Sequence, residues 1–121
     1  GLLTKVIADK EKIEQVLTNL IDNSIKYGKD YGTTEIVIQS LNEDKIIVRV
    51  TDNGVGFKKE NYTRIFERFF RVDRSGRRSA GGSGLGLAIV KHIIDAHDEK
   101  IYVESEFGVG SEFSFTLEKS K

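Results

Sequence analysis

The chain has 121 residues, enough for one domain whose core buries roughly two-thirds of the surface exposed on unfolding. Nineteen basic and nineteen acidic residues cancel, so no net field favours nucleic acid or an anionic membrane. Cysteine is absent, which excludes disulfides, zinc ribbons and thiol nucleophiles together, and no apolar run approaches the ~18 residues of a membrane span. No signal peptide opens the chain.

Leu2–Ala8 alternates weakly and predicts a short strand at best. Asp9 is the expected N-cap of a helix over Lys12–Gly28, with Gly28 the residue type that ends helices at C′. Within it Ile13, Val16, Leu17, Leu20, Ile21 and Ile25 recur at spacings of three and four around Ser24, which predicts one core-facing arc at about 100° per residue. Asn19, Asn23, Lys26 and Tyr27 border that arc as a stripe of two amides, an ammonium and a phenol. Amides are poor helix formers, so the stripe reads either as incidental polarity or as the edge of a polar ligand pocket.

A polar loop, Lys29–Thr33, leads to strands at Thr34–Leu41 and Lys45–Thr51, joined as a hairpin by Asn42-Glu43-Asp44. Ile46, Val48 and Val50 share one face of the second strand. Asp52-Asn53-Gly54-Val55-Gly56-Phe57 follows at the strand end. Lys58–Phe70 is expected to be helical or turn-rich, with Tyr62, Ile65, Phe66, Phe69 and Phe70 packing. Arg71–Gly82 has almost no apolar content, and a loop of about twelve residues inside a small domain suits a lid. A second helix is expected over Gly84–His97, then strands at Lys100–Glu106 and Glu112–Glu118 around the glycine turn Phe107–Ser111. The order β-α-β-β-(α)-lid-α-β-β predicts an α+β two-layer sandwich, with helices on a mixed, mostly antiparallel sheet.

Eight of the twelve glycines fall in three clusters. The cluster Gly81–Gly86 opens a helix, where free N–H groups and the positive dipole end suit phosphate; a flexible hinge is the competing reading. It is not a Walker loop, because Gly28-Lys29-Asp30 does not supply the Lys-Ser/Thr step. It lacks the preceding strand of a dinucleotide fingerprint and the partner motifs of a protein-kinase glycine loop. Asp52, at a strand end beside Gly54 and Gly56, could accept from the exocyclic amine of adenine or merely form a tight turn.

Five segments together carry a specific resemblance: Asn19-Leu-x-x-Asn23-Ser-x-Lys26-Tyr27, Asp52-x-Gly54-x-Gly56, Ile65-Phe66-Glu67-Arg68-Phe69-Phe70-Arg71, Gly82-Ser83-Gly84-Leu85-Gly86-Leu87 and Gly108-x-Gly110-Ser111. They resemble, in order, the N, G1, F, G2 and G3 boxes of the catalytic ATP-binding domain of two-component sensor histidine kinases. These belong to the superfamily of gyrase, Hsp90-type chaperones and MutL. The resemblance covers nearly the whole chain and implies a Bergerat fold with a mobile ATP lid, and ATP and Mg²⁺ as cofactors. It implies transfer of the γ-phosphate to a histidine on a separate dimerisation and phosphoacceptor domain, with a response regulator downstream.

By the same resemblance, Asn23 would hold Mg²⁺, Asn19 the phosphates or metal shell, Lys26 the phosphates, and Tyr27 the adenine or sugar. Asp52 would read the adenine amine, with Gly54 and Gly56 close to the base. Gly82, Ser83, Gly84 and Gly86 would hinge the lid and present N–H groups, while Leu85 and Leu87 anchor the helix. Arg71 would reach the γ-phosphate, with Arg77 and Arg78 assisting; Ser111 would meet the adenine edge through water. Asn19, Lys26 and Arg71 would therefore be the residues of the transfer step.

Asn19 stands where the ATPase branches resemble each other in having a Glu that activates water. An amide is no general base near neutral pH, so transfer is favoured over hydrolysis. His92 and His97 lie on the second helix rather than in an acceptor motif. The expected product is therefore a monomeric, cytoplasmic fragment of a membrane-anchored kinase that does not phosphorylate itself. A nucleotide-binding regulatory module and an anti-sigma-type serine kinase of the same superfamily are the alternatives. Two departures from the family pattern stand out: Ser24 in place of Ala, and Asp98-Glu99 in place of the Gly-Gly after the helix, which puts the left-handed cap there in doubt.

Overall fold

The computed structural model describes residues 6–26, 28, 31–62, 64–68 and 86–120. The elements in chain order are β1 (Val6–Ile7), α1 (Lys10–Lys26), β2 (Thr34–Ser40), β3 (Lys45–Asp52), a 3-10 turn (Lys59–Asn61), α2 (Gly86–Ala96), β4 (Ile101–Glu106) and β5 (Gly110–Lys119). All described pairings are antiparallel: β2 with β3, β3 with β5, and β5 with β4 along its first part and with β1 at its end. The expected mixed sheet is thus antiparallel throughout the described residues. Both helices pack on one face, giving the two-layer α+β arrangement.

Strand periodicity decides what the helices meet. The register pairs Val50 with Phe113, Val48 with Phe115 and Ile46 with Leu117, and all six are buried beneath Val16 and Leu20 of α1 and Val90, Ile93 and Ile94 of α2. The opposite face is largely polar around the buried Ile47. There Thr51 donates to Glu112 at 3.0 Å, Arg49 hydrogen-bonds Gln39, and Arg49 lies 3.7 Å from Glu112.

Helix α1 begins as expected: Asp9 Oδ1 accepts from the Lys12 N–H at 3.1 Å. It departs from expectation at its other end. Ile25 is 68% exposed, beside an edge strand whose Ile36 and Ile38 are also exposed; the core arc therefore ends at Ser24, whose hydroxyl pairs with that of Thr34 at 2.6 Å. That bond supplies the partner the Ser24 hydroxyl requires. Gly28 does not take a positive φ. Glycine suits it for space instead, since a Cβ would lie 2.9 Å from the Ser24 carbonyl oxygen.

The end of α2 resolves the doubt over Asp98-Glu99. Asp98 adopts φ 56°, the Asp98 N–H donates to Asp95 O at 2.9 Å, and the Glu99 N–H donates to Ile94 O at 3.1 Å. These two bonds form a Schellman cap with aspartate in the left-handed position, a conformation Asp tolerates better than most residues. The buried Glu99 carboxylate then accepts from Thr116 at 2.8 Å and from Lys45 at 2.6 Å. That hydrogen bond raises the Lys45 ammonium above its ordinary value of 10.5. His97 closes the same end: Nδ1–H donates to Ile93 O at 2.9 Å, while Nε2 accepts the Asp9 N–H at 3.0 Å.

At the opposite end of the sheet, Gly110 has φ 151° and a Cβ there would lie 2.1 Å from the Asp52 carbonyl oxygen. Backbone carbonyls cannot yield as a flexible side chain can. Gly110→Ala is therefore expected to lose more than about 2 kcal/mol of folding free energy, measured by chemical denaturation; an unchanged midpoint would contradict this packing.

Candidate functional site

At one end of the sheet the C-terminal end of β3 and the G1 loop meet the β4–β5 turn, and the polar stripe of α1 reaches the start of α2 through Asn19. Asn19 and Asn23 lie one turn apart and are both half-buried, whereas Lys26 is exposed. The Asn19 Nδ2–H donates to the Gly86 carbonyl at 3.5 Å, a long bond that ties the two helices together. A glutamate at position 19 would set a carboxylate against that carbonyl, so the amide suits both packing and chemistry. The Asn23 side chain makes no hydrogen bond among the described residues, leaving its carbonyl oxygen available. Gly86 has open space where a Cβ would stand, in contrast to Gly110.

Asp52 ends β3 opposite Ser111. Its carboxylate accepts the Gly54 N–H at 2.9 Å and is also supported by the Ser111 main-chain N–H. Burial nonetheless dominates and holds the carboxyl above its ordinary value of 3.8. Asn53 has separate work: its Oδ1 accepts from the Thr33 N–H at 2.8 Å, anchoring the segment before β2.

Gly56 has φ 63° and a Cβ there would meet the Glu106 carbonyl oxygen at 2.2 Å and that of Gly110 at 2.9 Å. Its smallness is thus demanded by the protein's own backbone. The Gly108 N–H also donates to Val55 O at 2.6 Å, so the G1 loop and the β4–β5 turn form one unit. The Ser111 hydroxyl lies 2.8 Å from that of Ser105.

Among the expected site residues, Asn19, Asn23, Lys26, Asp52, Gly54, Gly56, Gly86, Leu87 and Ser111 lie within the described structure. Leu87 packs against the core, as an anchor should. Tyr27, Arg71, Arg77, Arg78, Gly82, Ser83, Gly84 and Leu85, and with them the lid, lie outside the described residues. Two residues that spacing did not single out as site residues join the G1 loop to β4 and the β4–β5 turn. Ser105 accepts the Phe57 N–H at 2.8 Å, and Tyr62 bonds the Ser105 backbone. The sequence marked Tyr62 only as an apolar member of its segment, and nothing about Ser105 distinguished it from other strand serines.

Residues 8–121 match the family model described as histidine kinase-, DNA gyrase B-, and HSP90-like ATPase. The chain belongs to this family. It is 40% identical over 110 residues to the sensor histidine kinase WalK of Bacillus subtilis, covering 90% of this chain and 18% of WalK. Among solved structures, the mycobacterial sensor histidine kinase MprB superimposes with a TM-score of 0.85 at 28% identity, covering 96% of this chain and 78% of that one. Full-length ShkA, solved in complex with AMPPNP, superimposes with a TM-score of 0.83 at 29% identity over 98% of this chain and 24% of ShkA. The chain therefore spans less than a fifth of WalK's length.

For this family member, the elevated Asp52 carboxyl has a consequence for stability. A carboxyl raised in the folded state favours folding below its unfolded value, and that contribution is lost as pH rises through the folded value. At neutral pH the ionised Asp52 therefore costs stability. Asp52→Asn is expected to melt no lower than the parent at pH 7, with any advantage shrinking as pH falls through the folded value and vanishing well below the unfolded one, where the carboxyl is protonated in both states. A variant that is markedly less stable at pH 7 would contradict burial as the dominant cause.

Proposed function

We propose that this chain is a single catalytic ATP-binding domain of a sensor histidine kinase. It binds Mg-ATP and delivers the γ-phosphate to a histidine on a separate dimerisation and phosphoacceptor domain. In the transfer, the imidazole nitrogen lone pair forms a bond to the γ-phosphorus while the bond to the β–γ bridging oxygen breaks. ADP leaves with that electron pair. The parent protein would use this domain on the cytoplasmic side of the membrane and pass phosphate on to a response regulator; the isolated chain would be monomeric. Among the described residues, no helix is long and apolar enough to cross a membrane.

The observation that carries the reading is Asn19. At the position where hydrolytic relatives resemble each other in carrying a water-activating Glu, this chain has an amide hydrogen-bonded to Gly86. An amide does not take a proton from water near neutral pH, so the site is suited to an external nucleophile. Family membership and the names of WalK, MprB and ShkA support kinase over regulatory module or serine kinase. The AMPPNP complex of ShkA supports a nucleotide triphosphate as ligand.

The residues fit Mg²⁺ in a specific way. No group of three or more His, Cys, Asp or Glu that could cage a metal occurs among the described residues. Mg²⁺ that travels with phosphates needs only one or two protein oxygens, and the Asn23 side-chain carbonyl, which has no partner among the described residues, would supply one. When bound, the ion would neutralise charge on the phosphates. Lys26 would contact phosphate oxygens, and Asn19 would support them. Asp52 would accept from the adenine amine, and Ser111 would meet the adenine edge through water. Gly54 and Gly56 would keep the loop beneath the base compact. Tyr27 would pack on the adenine or sugar; Gly82, Ser83, Gly84, Leu85, Gly86 and Leu87 would form the lid hinge and phosphate cradle. Arg71 would stabilise charge on the transferring phosphoryl group, with Arg77 and Arg78 assisting.

Neither histidine of this chain serves as acceptor in this reading. His97 is committed to Ile93 and Asp9, and His92 lies exposed on α2. With γ-labelled ATP, the chain alone is expected to acquire no phosphohistidine, and addition of a separately made, matched phosphoacceptor domain should place label on that domain's histidine. Label at His92 or His97, or ATP hydrolysis without transfer, would overturn the proposal.

A further inference from the structure

The residues after the G1 loop do more than lead toward the lid. Tyr62, next to the 3-10 turn Lys59–Asn61, directs its hydroxyl at the backbone of Ser105 on β4. It accepts the Ser105 N–H at 2.6 Å and donates to the Ser105 carbonyl. Both main-chain groups of Ser105 are thus bonded to one phenol. The Tyr62 ring is independently fixed, meeting Phe57 edge to face with centroids 5.5 Å apart.

The Ser105 side chain continues the connection. Its Oγ lies 2.8 Å from the Phe57 nitrogen, 3.0 Å from the Gly110 carbonyl and 2.8 Å from the Ser111 hydroxyl. A serine hydroxyl has one proton and two lone pairs. The proton goes to the Gly110 carbonyl, so the Phe57 N–H and the Ser111 O–H must both donate to Ser105. Every hydrogen-bonding position of Ser105 is filled, and the only proton of Ser111 is used. The hydroxyl of Ser111 can therefore only accept from a ligand or water. Ser111 stands directly opposite Asp52 in the β3–β5 register.

We infer that Tyr62 and Ser105 are positioning residues for Asp52: they tie the segment that follows the G1 loop to the β4–β5 turn and thereby hold Ser111 opposite Asp52 and the Gly54 N–H on its carboxylate. The consequence for base selection rests on the proposed reading of Asp52 as the group that accepts from the adenine amine. Under that reading, selectivity for a 6-amino purine depends on a phenol and a hydroxyl that never touch the base. It also places base recognition under the influence of the segment that leads to Arg71.

Two variants test this in the intact 121-residue chain. Tyr62→Phe keeps the ring contact with Phe57 and removes only the hydroxyl; Ser105→Ala removes the side-chain junction. Without nucleotide, amide hydrogen exchange at Gly54 and Ser111 is expected to accelerate about two- to tenfold in both, the size of one lost hydrogen bond, while Val48 and Phe115 exchange as before. With nucleotide, the preference for ATP over inosine triphosphate, which has a carbonyl in place of the amine, should fall by a similar factor. Binding of inosine triphosphate itself should change little. Unchanged exchange at Gly54 and Ser111 in both variants would overturn the inference, as would accelerated exchange with an unaltered preference for ATP. If exchange accelerates but the parent chain itself does not distinguish the two nucleotides, the positioning role stands and the base-reading assignment of Asp52 falls.

Discussion

The end of the sheet where β3 meets the β4–β5 turn depends on two backbone segments lying closer together than side chains would permit. At Gly110 a Cβ would stand 2.1 Å from the Asp52 carbonyl oxygen, and at Gly56 it would stand 2.2 Å from that of Glu106. These two glycines let the G1 loop and the β4–β5 turn interlock, which sets Asp52 opposite Ser111 and fixes what its carboxylate can reach. Hydrogen bonds alone would not hold such an arrangement, since each contributes only about 1 kcal/mol net. Steric exclusion of any side chain is what makes the geometry unique.

The two helices solve a different problem. The buried residues of α1 and α2 hold both against the sheet, yet their polar borders must face each other near the site without collapsing onto it. Asn19 achieves this by donating to the Gly86 carbonyl, which spaces the helices and leaves an oxygen on its own amide. The far ends are locked by His97 on the Asp9 backbone and by the Schellman cap at Asp98. At the other end of α2, Gly86 has open space where a Cβ would stand.

Much of this was legible in the residues. The 3.6-residue period of α1 and the alternation of β3 and β5 identify the core face, because burial on one face leaves the pattern no other solution. What escaped the sequence was set by tertiary neighbours. Ile25 obeys the helical period but is exposed at the edge strand. Asp98 holds a left-handed cap where glycine was expected, and Gly28 serves space rather than backbone angle. At Gly56 the protein's own carbonyls come so close that no side chain fits, a demand of tertiary packing that the motif spacing does not reveal. Tyr62 shows in the sequence only as an apolar packing residue and Ser105 as an ordinary strand serine, since their link is a pair of hydrogen bonds made across 43 residues of sequence. The assignments to Arg71 and the lid glycines rest on motif resemblance.

The central claim is that the α1 stripe separates metal from base recognition, with Asn23 answering to Mg²⁺. Its most direct test is calorimetric titration of ATP into the intact chain and into Asn23→Ala, each with and without Mg²⁺. Mg²⁺ should tighten binding to the intact chain, and Asn23→Ala should lose that response while retaining metal-free affinity. An identical Mg²⁺ response in both proteins would contradict the account.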